Sequence, residues 1–258
     1  MNISFFLHLV RQGIKKENQL GVLYDSIDYN VNWEQLYSLA FRQGLLAVVV
    51  DGLEQMADKQ RPPKELMLQW IGEVLQGYEY RYELYRKAIA ELALFYNSHN
   101  YKMMVLKGYA CSLNWPRPEH RPCGDIDIWL FGKQKEADNL LVSEKQIKID
   151  KSHHHHTVFY WRDFMVENHY DFVNVYDYKS SAELEVVFKT LGENDSNIED
   201  VCDEKVYMPS PNLNALFIIR HLVSHFCSTN INLRQVLDWA FYIEKHTKEM
   251  IGNGCWRF

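Results

Sequence analysis

Apolar and polar positions divide the chain into three stretches with different periods. In residues 2–14, Phe5, Phe6, Leu9 and Val10 recur at the spacing that places side chains on one helix face. The stretch "NWEQLYSLAFRQGLLAVVVDGLEQM" at 32–56 predicts one or two further helices, with Asn32 as N-cap and Gly44 as a break. After "RPP" at 61–63, residues 64–98 are rich in Glu, Leu, Tyr, Arg and Ala, with Gly77 as the only weak point. Residues 1–98 are therefore predicted to form an N-terminal helical region.

The period then shortens. "YKMMVL" (101–106) and "DIDIWLF" (125–131) read as strands from their β-branched and aromatic content, and "KGYACSLNW" between them turns into a short helix. "KQKEADNLLV" (133–142) predicts a helix, while "KQIKID" (145–150), "HHTVFYW" (155–161), "DFMVEN" (163–168) and "AELEVVF" (182–188) predict strands. From "NLNALFIIRHLVSHF" (212–226) through "NLRQVLDWAFYIEKH" (232–246) the helical period returns. The fold class expected is α+β: a small mixed β-sheet core over 99–192, flanked by helical regions at 1–98 and 193–258.

Composition adds limits. Aromatic residues make up 14% of the 258 residues, which suits a packed core. A formal net charge of −6 disfavours a general nucleic-acid coat, though a local basic cleft stays open. The five cysteines are scattered without a C-x-x-C pair, as expected of reduced thiols. The start "MNISFFLHLVRQG" reads as a helix and not a signal peptide, and no stretch is apolar over the ~18 residues needed to span a bilayer. These features predict a soluble, cytoplasmic protein.

The chemistry concentrates in "RPCGDIDIWL" (121–130). On a strand, residues i and i+2 share a face, so Asp125 and Asp127 would project together while Ile126 and Ile128 face the core. Two adjacent carboxylates repel each other unless a cation lies between them, and Mg²⁺ takes one or two carboxylates plus phosphate oxygens. Two such ions about 4 Å apart align an attacking oxygen with a leaving phosphate. A third carboxylate is expected from "AELEVVF", where Glu183 and Glu185 share a face of the expected strand and Glu185 lies nearer the apolar end. Upstream, Lys107-Gly108 marks a strand-to-helix turn where backbone can approach a phosphate beside a positive charge.

An apolar strand, a glycine turn, a short helix, a loop, D-x-D on a strand and a later acid resemble the DNA polymerase β-like nucleotidyltransferase superfamily. More narrowly, "VLKGYACSLNWPRPEHRPCGDIDIWL" resembles a bacterial family of uncharacterised nucleotidyltransferases with an L-K-G turn and an R-P-x-G-D-I-D segment. The resemblance implies that Asp125, Asp127 and Glu185 hold Mg²⁺ or Mn²⁺ and are catalytic. It places Gly108 near the phosphates of an NTP. Tyr109 follows where the superfamily has Gly or Ser, and Val187 stands where the narrower family often has His two residues after the third acid. The implied reaction moves a nucleoside monophosphate from an NTP to an acceptor hydroxyl of a small molecule, protein or RNA. A non-catalytic nucleotide-binding or regulatory protein, or a toxin–antitoxin component, is the alternative. The same resemblance leads to the expectation that the C-terminal region, ending "MIGNGCWRF", is shorter than in such relatives.

Other residues extend the candidate site. Arg121, with Lys107 and Arg117, could gather triphosphate charge through guanidinium and ammonium contacts. In "HHHH" (153–156), strand alternation puts His154 and His156 on one face, where either could reach a phosphate or base. His221 and His225 share a helix face, with helix packing as the default reading. Asp238 interrupts an apolar helix and could pair with Arg234 at i−4.

Overall fold

The computed structural model describes residues 3–15, 31–176, 178–194, 197–228 and 230–252. Cys255 and the chain end 253–258 lie outside the described residues; Cys111, Cys123, Cys202 and Cys227 are free thiols.

The N-terminal helices follow the apolar pattern. α1 (Ile3–Gly13) buries Phe5, Phe6, Leu9 and Val10. α2 (Trp33–Arg42) begins at Asn32, whose Oδ1 accepts from the Gln35 amide at 2.9 Å. Gly44 takes φ +66° and separates α2 from α3 (Leu46–Glu54). The stretch 64–98 forms α4 (Lys64–Val74) and α5 (Arg81–Ser98), joined by a π-helical turn over Leu75–Tyr80 that contains Gly77. α1 to α4 share one apolar cluster, which Trp115 and Phe241 join from elsewhere in the chain.

The sheet has six strands in the order β3-β4-β2-β1-β6-β5. β1 (Met104–Val105) runs antiparallel to β2 (Ile126–Trp129), and β2 runs parallel to β4 (Phe164–His169). β3 (His156–Trp161) completes one edge antiparallel to β4. On the other side β1 runs parallel to β6 (Glu204–Met208), which forms a hairpin with β5 (Asn197–Val201). α6 (Lys107–Ser112) follows β1, and α7 (Gln134–Lys145) follows β2.

One face of the sheet carries Ile126, Ile128, Phe159, Phe164 and Val166 against α5 and α7. The opposite face carries Met104, Leu106 and Trp129 against α8 (Lys179–Asn194) and α9 (Pro211–Ser228) through Phe172, Phe188 and Phe217. Side chains of this size each contribute roughly 1.5–3 kcal/mol when buried. α10 (Leu233–Gly252) packs on α9 and brings Tyr242 beside Cys111, Ala215 and Ile218. Among the described residues, no helix is long and apolar enough to cross a membrane.

The structure corrects four sequence expectations. "AELEVVF" is helix α8, not a strand. Its Glu-Leu-Glu-Val alternation is local; over a longer window Leu184, Phe188 and Leu191 recur at helical spacing and face the core, while Val186 and Val187 are exposed. "KQIKID" forms no strand and contributes only an isolated bridge from Asp150 to Val158. Gln146 takes a left-handed φ of +55° that ends α7, after which Ile147 and Ile149 pack on the core from irregular backbone. The region from 193 is not purely helical, because "NIEDVCDEKVYM" forms β5 and β6 around a turn with positive φ at Cys202 and Asp203. The histidine tract does not alternate as a strand: residues 153–155 bend, and β3 starts at His156.

Candidate active site

Strand register assembles the site. Asp127 pairs with Glu167 across β2 and β4, His169 follows Glu167 by two residues, and His156 pairs with His169 across β3 and β4. Alternation on each strand then puts Asp127, Glu167, His169 and His156 on one face. Ile126, Ile128 and Val166 occupy the other face and pack in the core, which anchors this arrangement.

Asp127 and His169 are almost fully buried. Lys107 Nζ lies 2.6 Å from Asp127 Oδ1 and 4.0 Å from Glu167 Oε2. His169 Nε2–H donates to Asp127 Oδ1 at 3.0 Å and lies 3.6 Å from Glu167 Oε2, while its Nδ1 lies 3.3 Å from the Asp171 carbonyl oxygen. With an acceptor at each nitrogen, the ring suits the doubly protonated form. Burial works against the His169 imidazolium, but Asp127 and Glu167 outweigh it and raise its pKa. Burial likewise opposes the charge on Lys107, yet Asp127, then Glu167 and Asp125, hold its pKa up. Asp127 resists ionisation by its burial, but Lys107 and His169 reverse this and hold it well below the usual carboxylate range. Glu167 is also lowered; burial opposes the shift and the His169 hydrogen bond drives it.

Asp125 stands just ahead of β2, half-buried at the mouth of this group. Its pKa is raised by burial and then by the charge of Asp127, and it forms no ion pair among the described residues. Its carbonyl oxygen accepts from the Tyr85 hydroxyl at 2.8 Å. That bond passes directly over Gly108, where a Cβ would come within 2.5 Å of the Tyr85 oxygen. Glycine is thus required at 108 to bring the turn against the D-x-D segment. Lys107 itself takes φ +30°, an unfavourable angle for a side-chain-bearing residue, and its ammonium is thereby placed on Asp127.

These groups open onto a cleft of about 600 Å³ between the sheet and the helices α9 and α10. Lys107, Asp125, Asp127, Glu167, His155 and His156 line the sheet side; His221, His225 and Arg234 line the helical side. Burial and then the charge of Lys107 push His221 down to about 3, so it faces the cleft as a neutral imidazole. Arg234 is half-buried, with its pKa lowered by burial and the neighbouring Arg121, and its guanidinium forms no ion pair among the described residues.

Several expected residues sit elsewhere. Glu185 is buried on α8, where Oε2 accepts from the amides of Phe172 (2.8 Å) and Val173 (3.0 Å) and Oε1 lies 3.4 Å from Lys189 Nζ. The structure does not bring it to Asp125 and Asp127; it braces the loop that leaves β4 after His169. Tyr109 points away from the cleft and stacks on Tyr82, with ring centroids 6.2 Å apart. Arg121 lines the cleft but is consumed by Asp238, with Nε at 2.7 Å and Nη2 at 3.0 Å from its two oxygens. Asp238 therefore pairs with Arg121 and not Arg234, and Trp115 Nε1–H donates to it as well at 2.8 Å. Arg117 is held by Asp51, Glu79 and Glu119. His154 is exposed, and the cleft receives His155 and His156 instead.

The residues missed are Glu167 and His169. "DFMVEN" reads as a strand, and its acid is followed two residues on by histidine. The acid-x-His spacing that is absent at Glu185 and Val187 is therefore present here, beside the D-x-D strand.

The sheet with its paired aspartates, third acid and glycine turn defines the class: a nucleotidyltransferase-type α/β core with helical additions. The chain belongs to the uncharacterised nucleotidyltransferase family, which it matches over residues 29–256. Among solved structures, an antigenic nucleotidyltransferase-like protein from Paracoccidioides brasiliensis is similar at 15% identity and a TM-score of 0.43, covering 62% of this chain and 75% of that one. The antibiotic-resistance factor ANT(2'')-Ia in solution is similar at 10% identity and a TM-score of 0.47, covering 66% and 88%. The same protein in complex with adenylyl-2''-tobramycin gives 10% identity and 0.47, covering 66% and 93%. No curated protein sequence matches.

Proposed function

We propose that the chain transfers a nucleoside monophosphate from an NTP to an acceptor hydroxyl and releases pyrophosphate, with a divalent cation (Mg²⁺ or Mn²⁺) held by Asp125, Asp127 and Glu167. The observation that carries this reading is the convergence of these acids on a cleft, with the half-buried Asp125 left without an ion-pair partner among the described residues. Hard cations take such carboxylates together with phosphate oxygens. When bound, the ion would neutralise charge on the transferring phosphate.

The chain's own residues do the rest. His169 and Lys107 orient the Asp127 carboxylate and keep it ionised. Arg234, committed to no carboxylate among the described residues, replaces Arg121 as the cation that holds the triphosphate from the helical wall. The acceptor oxygen forms its bond to the α-phosphorus as the bond to pyrophosphate breaks, and the hydroxyl proton is released to solvent. A small molecule, a protein side chain or an RNA end fits as acceptor; the net charge of −6 weighs against RNA.

One observation favours a second reading. Lys107 and His169 already compensate Asp127, so the site could hold a nucleotide without a metal and without turnover. Calorimetry with ATP, GTP, CTP and UTP, with and without Mg²⁺, separates the two. Metal-dependent binding that is lost in Asp125→Asn and Asp127→Asn supports transfer. Metal-independent binding supports the non-catalytic reading. Labelled NTP incubated with cell extract then reveals the acceptor.

A further inference from the structure

A second group of donors, richer in nitrogen, adjoins the acids. His155, His156 and His169 each place a potential ligand atom within 4.8 Å of the other two. Their rings converge from different directions: His155 and His156 are 4.5 Å apart at 83°, and His156 and His169 are 5.3 Å apart at 53°. Neighbours in sequence normally diverge on a strand, so this convergence needs the bend before β3. That bend is pinned by the Tyr170 and Asp171 amides, which both donate to the His155 carbonyl oxygen at 3.1 Å, and by the Tyr170 hydroxyl on the His153 carbonyl oxygen at 3.0 Å.

The local hydrogen bonding is incomplete. Among the described residues, Nδ1 of His155 and Nδ1 of His156 are both buried without a partner, and His156 is only 7% exposed. A buried polar group left so costs stability, and histidines that merely pack in a core normally have both nitrogens accounted for. Glu167 adds an oxygen donor: its Oε1 lies 3.9 Å from His156 Nε2, whereas Lys107 approaches the other oxygen, Oε2.

We propose that His155, His156 and His169, with Glu167 as the fourth donor, form a site for a borderline divalent ion of the Zn²⁺ or Co²⁺ class beside the carboxylate site. Imidazole nitrogens suit such ions, while Mg²⁺ prefers oxygen donors throughout. Three nitrogens and one carboxylate complete a tetrahedral set, with the His169 Nε2 proton released to solvent and its hydrogen bond to Asp127 exchanged for the bond to the ion. The site would place a fixed positive charge on the sheet wall of the cleft, facing whatever anionic group enters it. The inference does not depend on nucleotidyl transfer, because metal binding is measured without nucleotide.

The test is Co²⁺ titration of the full chain after chelator treatment, followed by calorimetry and by the visible absorption of low-symmetry, nitrogen-ligated cobalt. A single site is expected, displaced by Zn²⁺ and not by a large excess of Mg²⁺. His155→Ala, at a half-exposed position, and Glu167→Gln should each weaken it roughly tenfold or more. The double variant His153→Ala/His154→Ala should leave it unchanged, with circular dichroism confirming that all variants are folded. Binding that follows His153 and His154 and ignores Glu167 would mean only an exposed histidine tract, and overturns the proposal. Absence of a saturable Co²⁺ site, or displacement by Mg²⁺, overturns it as well.

Discussion

The two walls of the cleft handle charge in opposite ways. On the helical side, Arg121, Asp238 and Trp115 satisfy one another, and nearby Arg117 and His120 are enclosed by Asp51 and Glu79. On the sheet side, among the described residues, Asp125 has no ion-pair partner, Nδ1 of His155 and of His156 lack partners, and Asp127 is crowded by two cations. Closed groups hold the wall in place. Open or overcrowded groups cost stability and are retained where a ligand completes them.

Substitutions on each wall should therefore separate activity from stability. The largest effect is expected at Asp125→Asn: labelled-NTP transfer should fall about 10³-fold while the unfolding midpoint barely moves, because this half-buried carboxylate forms no ion pair among the described residues. A midpoint that collapses with activity would show Asp125 to be structural like Asp238. On the opposite wall, Asp238→Asn should cost about 3–5 kcal/mol in urea unfolding, because the buried Arg121 loses its counter-ion. The double change Arg121→Met/Asp238→Leu should recover most of that loss; if it does not, the pair does more than close the wall.

Glu185→Ala tests the brace behind the sheet wall. Unsatisfied amides at Phe172 and Val173 should cost about 1–3 kcal/mol of stability, and transfer should fall through displacement of His169 with Mg²⁺ affinity nearly intact. Complete loss of Mg²⁺ binding would return Glu185 to the ligand set.

The smallest effect is expected from pH. Burial opposes the His120 imidazolium, but Asp51 and Glu79 outweigh it and raise its pKa above the ordinary 6.5. This contribution to stability is full below the unfolded-state value and is lost as pH rises through the higher folded-state value. Unfolding midpoints should thus fall more steeply on the alkaline side in the native chain than in His120→Gln, and equal slopes would remove His120 from the closed network.

Legibility in the sequence follows the range of the interaction that decides each feature. Asn32 as a cap, Gly44 as a break and Asp125/Asp127 at the start of a strand all rest on contacts within a few residues. "AELEVVF" was misleading because five residues of alternation imitate a strand, while the helical period needs the longer window that includes Leu191. The hairpin of β5 and β6 was hidden because charged residues interrupt both strands (Glu199, Asp200, Glu204 and Lys205) and β5 is largely exposed.

The sequence by itself determined that this chain carries paired carboxylates after a lysine–glycine turn, because strand alternation and turn chemistry are local. Only the tertiary structure decided which acid joins them. The parallel register of β2 on β4 sets Glu167 opposite Asp127, while α8 turns Glu185 toward the loop after β4. It also decided which cleft arginine stays uncommitted, since Arg121 meets Asp238 from 117 positions away and leaves Arg234 without an ion pair among the described residues. Pairings across such distances depend on how sheet and helices pack, and side-chain spacing along the chain carries no record of them.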